Sequence, residues 1–159
     1  GLHAAARAEQ VVQLDQSAPA LEMAARNAAL NGCSERGENL QGDAFSRLRE
    51  LHEAGRRFDL VVLDPPKFAA SASQVERAAG AYKAVNRLGA QLVRPGGWLM
   101  TFSCSGHIRP ELFGHIVSEA CADAEVDGRV VQRLQQAPDH PTGLHYPEGH
   151  YLKGLLLRL

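Results

Sequence analysis

Short apolar runs alternate with longer amphipathic stretches along this chain. The run VVQLD at residues 11–15 predicts a short buried strand. Before it, LHAAARAE at residues 2–9 is rich in Ala and Leu without a breaker and predicts a helix. After it, Ser17 suits a helix N-cap and Pro19 a first turn. That helix runs through LEMAARNAAL and stops at Asn31-Gly32. ENLQGDA gives a weak short strand ending near Asp43. Phe45, Leu48 and Leu51 mark one face of a further helix, closed by Gly55.

Residues 58–63, FDLVVL, are apolar except for Asp59, which suits a strand buried on both faces as in a parallel sheet. Pro65-Pro66 ends it. A helix is predicted over 73–93, with Gly80 and Gly89 as weak spots. RPGG reads as a turn and WLMTFS as a strand. Residues 109–125 predict a helix with Leu112, Phe113, Ile116, Val117 and Ala120 on one face. RVVQRL is a strand, 137–150 a loop rich in Pro, Gly and His, and YLKGLLLRL a final strand. No internal repeat or low-complexity tract interrupts this order.

Strands alternate with helices until two strands close the chain. The pattern predicts an α/β fold whose sheet is mostly parallel, with one antiparallel strand added last. Ligands in such sheets bind at the carboxyl ends of the strands. Asp15, Asp43, Asp64 and Cys104 each fall at or just past such an end.

Composition narrows the picture. The 159 residues suffice for one ordinary domain with a real core, and 45% apolar with 22% charged residues is globular. No apolar run approaches the length of a membrane span, and no signal segment opens the chain. A net charge of −1 means that affinity for a nucleic acid must come from a local patch. The three cysteines, Cys33, Cys104 and Cys121, form no CxxC pair, which argues against a disulfide framework or zinc cluster and for a reducing cytoplasm.

Each candidate residue has two readings. Asp15 is either a turn or helix-capping carboxylate or an acceptor for two ribose hydroxyls. Asp43 is either an N-cap or a partner for an adenine amino group. In LDPPKF each proline fixes its own φ, and Pro65 pushes Asp64 into an extended backbone. The result is either a plain strand stop or a stiff rim holding the edge of a flat, amide-like base. Free cysteines usually pack, and Cys121 fits that on its helix face, while Cys33 lies just past a helix end. Cys104, between Ser103, Ser105 and Gly106, sits in a polar, flexible tip where a thiol is equally suited to be a nucleophile. His140, His145 and His150 recur at spacing five without the frame of a metal site. Arg47, Arg49, Arg56 and Arg57 read as a solvated face.

VVQLDQS, GDAF, FDLVVLDPPKF, RPGGWLMTFSCS, DHP and YPEGHYLKG together resemble the class I S-adenosylmethionine-dependent methyltransferases. More closely they resemble the branch that methylates cytosine C5 in large-subunit (23S) ribosomal RNA. DPPKF followed about 40 residues later by SCS is the discriminating pair, and the resemblance spans nearly the whole chain. It implies a Rossmann-like sheet, S-adenosylmethionine as cofactor, ribosomal RNA as partner, no membrane, and a longer parent for which a homodimer is an open state. It implies cofactor-binding roles for Gly1, Asp15, Gln16, Asp43, Ala44 and Asp64, and substrate-binding roles for Pro65, Pro66, Lys67 and Phe68. Cys104 then attacks cytosine C6, and Asp64 assists by hydrogen bonding as charge spreads to N3. Pro66 and Lys67 stand where related enzymes carry a second cysteine, so the base that removes the C5 proton is unassigned. Gly1 falls where the family's glycine loop ends. The reading therefore expects a catalytic domain of residues 1–159 without its first central strand and N-terminal RNA-binding domain, binding cofactor weakly by itself. Two other readings stay open: an amino-group methyltransferase in which Cys104 only packs, and a non-enzymatic nucleotide- or RNA-binding remnant.

Overall fold

The structure, a computed structural model, describes the backbone of residues 1–159 and every side chain except those of Leu2 and Pro147. The backbone divides into two compact units, residues 1–50 and 51–159.

The first unit holds α1 (Leu2–Ala5), β1 (Val11–Asp15), α2 (Ala18–Leu30), β2 (Gly37–Gln41) and the start of α3 (Ala44–Glu53). β1 matches the predicted strand residue for residue. It pairs in parallel with β2, with Asp15 opposite Gln41. Ser17 caps α2 as expected, its Oγ accepting from the Ala20 amide at 3.3 Å, and Gly32 leaves the helix at φ 65°. The helix expected over 2–9 is only one turn. Its high propensity has little apolar face to bury, Ala5 alone being inaccessible among the described side chains of residues 2–9, and propensity by itself does not hold a short helix.

The second unit is built on a four-stranded sheet ordered β3–β4–β6–β5, from β3 (Phe58–Leu63), β4 (Val93–Ser103), β5 (Arg129–Gln135) and β6 (Lys153–Arg158). β3 and β4 are parallel, and β6 runs antiparallel to both β4 and β5, so the late reversed strand is present as expected. α4 (Val75–Leu92) and α5 (Pro110–Asp123) pack on each other, and α4 packs on β3 and β4. Val61, Leu63, Leu99, Tyr82, Val85, Leu88, Phe113, Ile116 and Val117 form the core between them. Each such side chain taken fully out of water contributes about 1.5–3 kcal/mol. Gly89, a weak spot by propensity, sits where α4 meets β3: a Cβ there would lie 2.6 Å from Leu63 Cδ1.

Two local expectations are corrected. β3 is buried on one face only. It is an edge strand, and while α4 covers Val61 and Leu63, Leu60 and Val62 remain 43% and 54% exposed. RPGG is not a turn ahead of a strand but part of β4. The pairing with β3 jumps from Phe58↔Val93 to Leu60↔Trp98, and Gly96, at φ 74°, donates its amide to the Leu159 carbonyl at 2.7 Å. Among the described residues no helix is long and apolar enough to cross a membrane.

Candidate active site

In the first unit the strand tips carry carboxylates. Asp15 Oδ1 accepts the Ser17 amide at 2.8 Å, so this carboxylate does brace the turn into α2. A single oxygen does that work, and a carboxylate has acceptor capacity to spare. Asp43 caps α3, its Oδ1 accepting the Ser46 amide at 3.0 Å and the Ser46 hydroxyl at 3.2 Å. The Ser46 amide, above all, holds the Asp43 carboxyl below its ordinary value, with Phe45 and Gln16 adding to the effect. Gln16 donates Nε2 to Asp43 Oδ2 at 3.3 Å, and the Gly42 amide reaches the Asp15 carbonyl at 3.0 Å. Asp15, Gln16, Asp43 and Ala44 are thus gathered at the carboxyl ends of β1 and β2. Gly1 closes the first turn of α1 with its carbonyl, and its backbone lies against the Gln13 amide, where a Cβ would collide.

In the second unit β3 and β4 end side by side, with Leu63 opposite Thr101. The chain beyond β3 is Asp64-Pro65-Pro66, and the residue beyond β4 is Cys104. Asp64, Pro65, Pro66 and Cys104 line one wall of an open cleft of about 520 Å³. The Cys104 sulfur is half-buried and faces the Pro65 carbonyl oxygen at 4.0 Å. It points at the rim rather than into packed hydrocarbon, unlike Cys121, whose thiol burial pushes up from the ordinary value. Lys67 and Phe68 do not line the cleft. The Phe68 ring turns onto the buried Tyr82 ring, 4.7 Å between centroids.

Ser105 fixes the thiol-bearing turn. Its fully buried Oγ accepts the Ala69 amide at 3.2 Å and pairs with the Tyr82 hydroxyl at 3.0 Å. The Ser105 amide in turn donates to Ser103 Oγ at 3.3 Å. One hydroxyl therefore ties the cysteine turn both to the segment after Pro-Pro and to α4.

Gln136, Ala137, Asp139, His140, Tyr151 and Leu152 line the rest of the cleft. Gln136 knits it together: Oε1 accepts the Tyr151 and Leu152 amides at 2.9 and 3.3 Å, and Nε2 donates to the His140 carbonyl at 3.1 Å. Asp139 and His140 lie within DHP, and Tyr151 and Leu152 within YPEGHYLKG, stretches that carried the resemblance without a role for any single residue. The three spaced histidines take part in no metal-binding cluster among the described residues.

The chain belongs to the S-adenosylmethionine-dependent methyltransferase family, whose model matches residues 2–158. It is 49% identical over 152 residues to the ribosomal RNA large subunit methyltransferase I of Aeromonas salmonicida, covering 95% of this chain and 38% of that protein. It is 46% identical over 155 residues to the protein of that name from Vibrio cholerae, covering 96% and 39%. The chain thus spans well under half the length of these relatives. Its fold is similar to that of a Streptococcus mutans chain (TM-score 0.79, 14% identical, 96% of this chain and 39% of that one). It is similar too to NSun6 from Pyrococcus horikoshii with SFG (TM-score 0.65, 19% identical, 94% and 41%).

Proposed function

We propose that the protein methylates C5 of a cytosine in large-subunit ribosomal RNA through a covalent bond between Cys104 and C6 of the base. The observation that carries this reading is the rim itself: the Cys104 sulfur and the Asp64-Pro65 segment share one cleft wall, the sulfur 4.0 Å from the Pro65 carbonyl. The names of the rRNA methyltransferase relatives support the substrate class.

Cytosine C5 is a poor nucleophile. Addition of the Cys104 thiolate at C6 makes C5 an enamine carbon able to accept a methyl group. The Pro65 carbonyl and the Asp64 carboxyl hold the base edge, and Asp64, as the acid, donates a hydrogen bond to N3 as negative charge collects there. The residues that fit the cofactor are Asp15, with acceptor capacity left for ribose hydroxyls, and Gln16, Asp43 and Ala44 beside it. S-adenosylmethionine, when bound, supplies the electrophilic methyl group. A base then takes the C5 proton, the C–H electron pair restores the C5–C6 double bond, and the C6–S bond breaks to free the thiolate.

Cys104→Ala tests this directly. Methyl transfer from S-adenosylmethionine to rRNA cytosine is expected to be abolished, with cofactor binding unchanged. Near-normal transfer overturns the covalent reading and favours methylation of an amino group, with Cys104 only packing.

A further inference from the structure

Lys153 is charged by habit yet only 9% exposed. It opens β6 directly opposite Ser103, the residue before Cys104. Its Nζ donates to the carbonyl of Ser105, the residue after Cys104, at 2.7 Å. Gly154 makes this seat possible: Phe102 lies across it, and a Cβ there would come 2.5 Å from the ring. Lys153 is thus tied to both flanks of the thiol, to Ser103 by strand pairing and to Ser105 by its amine. An isolated buried ammonium is expensive unless another charge answers it. Among the described residues no carboxylate forms an ion pair with Lys153, whereas Lys83, Arg94, His115 and Arg129 each have one. Burial lowers the Lys153 ammonium below its ordinary value, and the one charge that works against this is that of Cys104.

We propose that Lys153 takes the proton of the Cys104 thiol and then stands as the counter-charge of the thiolate. The proposal rests on the reading of Cys104 as nucleophile. The S–H bond breaks, its proton joins the Nζ lone pair, and the electron pair left on sulfur attacks C6. When the C6–S bond later breaks, that pair returns to a sulfur still facing an ammonium, and the enzyme is restored. The other titratable groups around the turn are Asp64, Asp139, His140 and Tyr151, which line the cleft, and Tyr82, which is bound to Ser105. None of them is tied to both flanks of Cys104 as Lys153 is.

Peptide-resolved alkylation of Cys104 by iodoacetamide across a pH series, without RNA or cofactor, tests the pair. In Lys153→Met the rise in alkylation moves to higher pH by about one unit, so the rate near pH 7 falls about tenfold. Lys153→Arg, which keeps the positive charge, retains most of the neutral-pH reactivity. An unchanged profile in Lys153→Met overturns the proposal. Should that variant fail to fold, the ultraviolet thiolate absorbance of the unaltered protein, taken against Cys104→Ser, decides. Thiolate already present near pH 7 supports the pair, and thiolate appearing only above about pH 8.5 overturns it. Methyl transfer adds a further readout: activity lost in Lys153→Met returns as the pH is raised, whereas loss from a merely structural role does not. Transfer surviving Cys104→Ala overturns the nucleophile reading and leaves the alkylation result standing.

Discussion

The two units finish their parallel strand pairs in opposite ways. At the tips of β1 and β2 the candidate functional groups are themselves anchored: Asp15 by the Ser17 amide, Asp43 by Ser46 and Gln16. At the tips of β3 and β4 the neighbours are anchored instead. Ser103, Ser105 and Lys153 carry the hydrogen bonds, while Asp64 is exposed and the Cys104 sulfur has only the distant Pro65 carbonyl. On the proposed reading, the contrast follows from what each region has to do. A group that holds a ligand by hydrogen bonds gains from being fixed in advance. A group that must form and break a bond is positioned best through its flanks, with its own reactive electrons left free.

The largest effect expected between the two strand-pair tips comes from Asp64→Asn. The side chain is exposed, so the fold stays intact, and the shape of the rim is kept. On the proposed reading, replacing the carboxyl that meets the base edge by an amide removes the acidic proton offered to N3 and lowers kcat by about 10²–10³-fold. Single-turnover methylation measures it. A loss smaller than about threefold would place Asp64 with the bracing carboxylates of the first unit and erase the distinction.

Next comes Ser105→Ala, which attacks an anchor rather than a reactive atom. It strands the Ala69 amide and the Tyr82 hydroxyl in a fully buried setting. Denaturant unfolding should show a stability loss of about 1–3 kcal/mol. Methyl transfer should fall as well, by about tenfold, because a small displacement of the attacking atom is felt strongly. Lost stability with undiminished transfer would show that the turn holds Cys104 without Ser105.

How much of this was legible in the sequence depends on how far apart the interacting residues lie. β1, the cap at Ser17 and the α5 face were readable because their signals are local: an apolar run, a capping serine and a helical stripe. The rim of Asp64, Pro65, Pro66 and Cys104 was readable because each member ends a strand. Lys153 was not, since its bond to Ser105 spans 48 residues and exists only through the antiparallel pairing of β6 with β4. Gln136 is similar: it acts on Tyr151 and Leu152, across a loop whose sequence shows only breakers and histidines. The bare face of β3 was hidden for another reason. Periodicity tells that a strand is apolar on both sides, not which side a helix will cover.

The smallest effect, and the one that probes the first unit by itself, is the charge on Asp43. Its native carboxyl titrates below the ordinary value of 3.8, chiefly because the Ser46 amide bonds the ionised form. A carboxyl lowered on folding contributes stability that is complete above the unfolded value and disappears as pH falls through the native one. Asp43→Asn keeps a side-chain oxygen able to cap α3 and removes only the charge. The variant should therefore be slightly less stable near pH 7, and the difference should shrink as pH falls through the lowered native value. Paired unfolding curves across that pH range measure this. A difference that stays constant with pH would mean that shape, not charge, anchors Asp43. The first unit would then hold its carboxylates as the second holds its thiol, through the surrounding backbone.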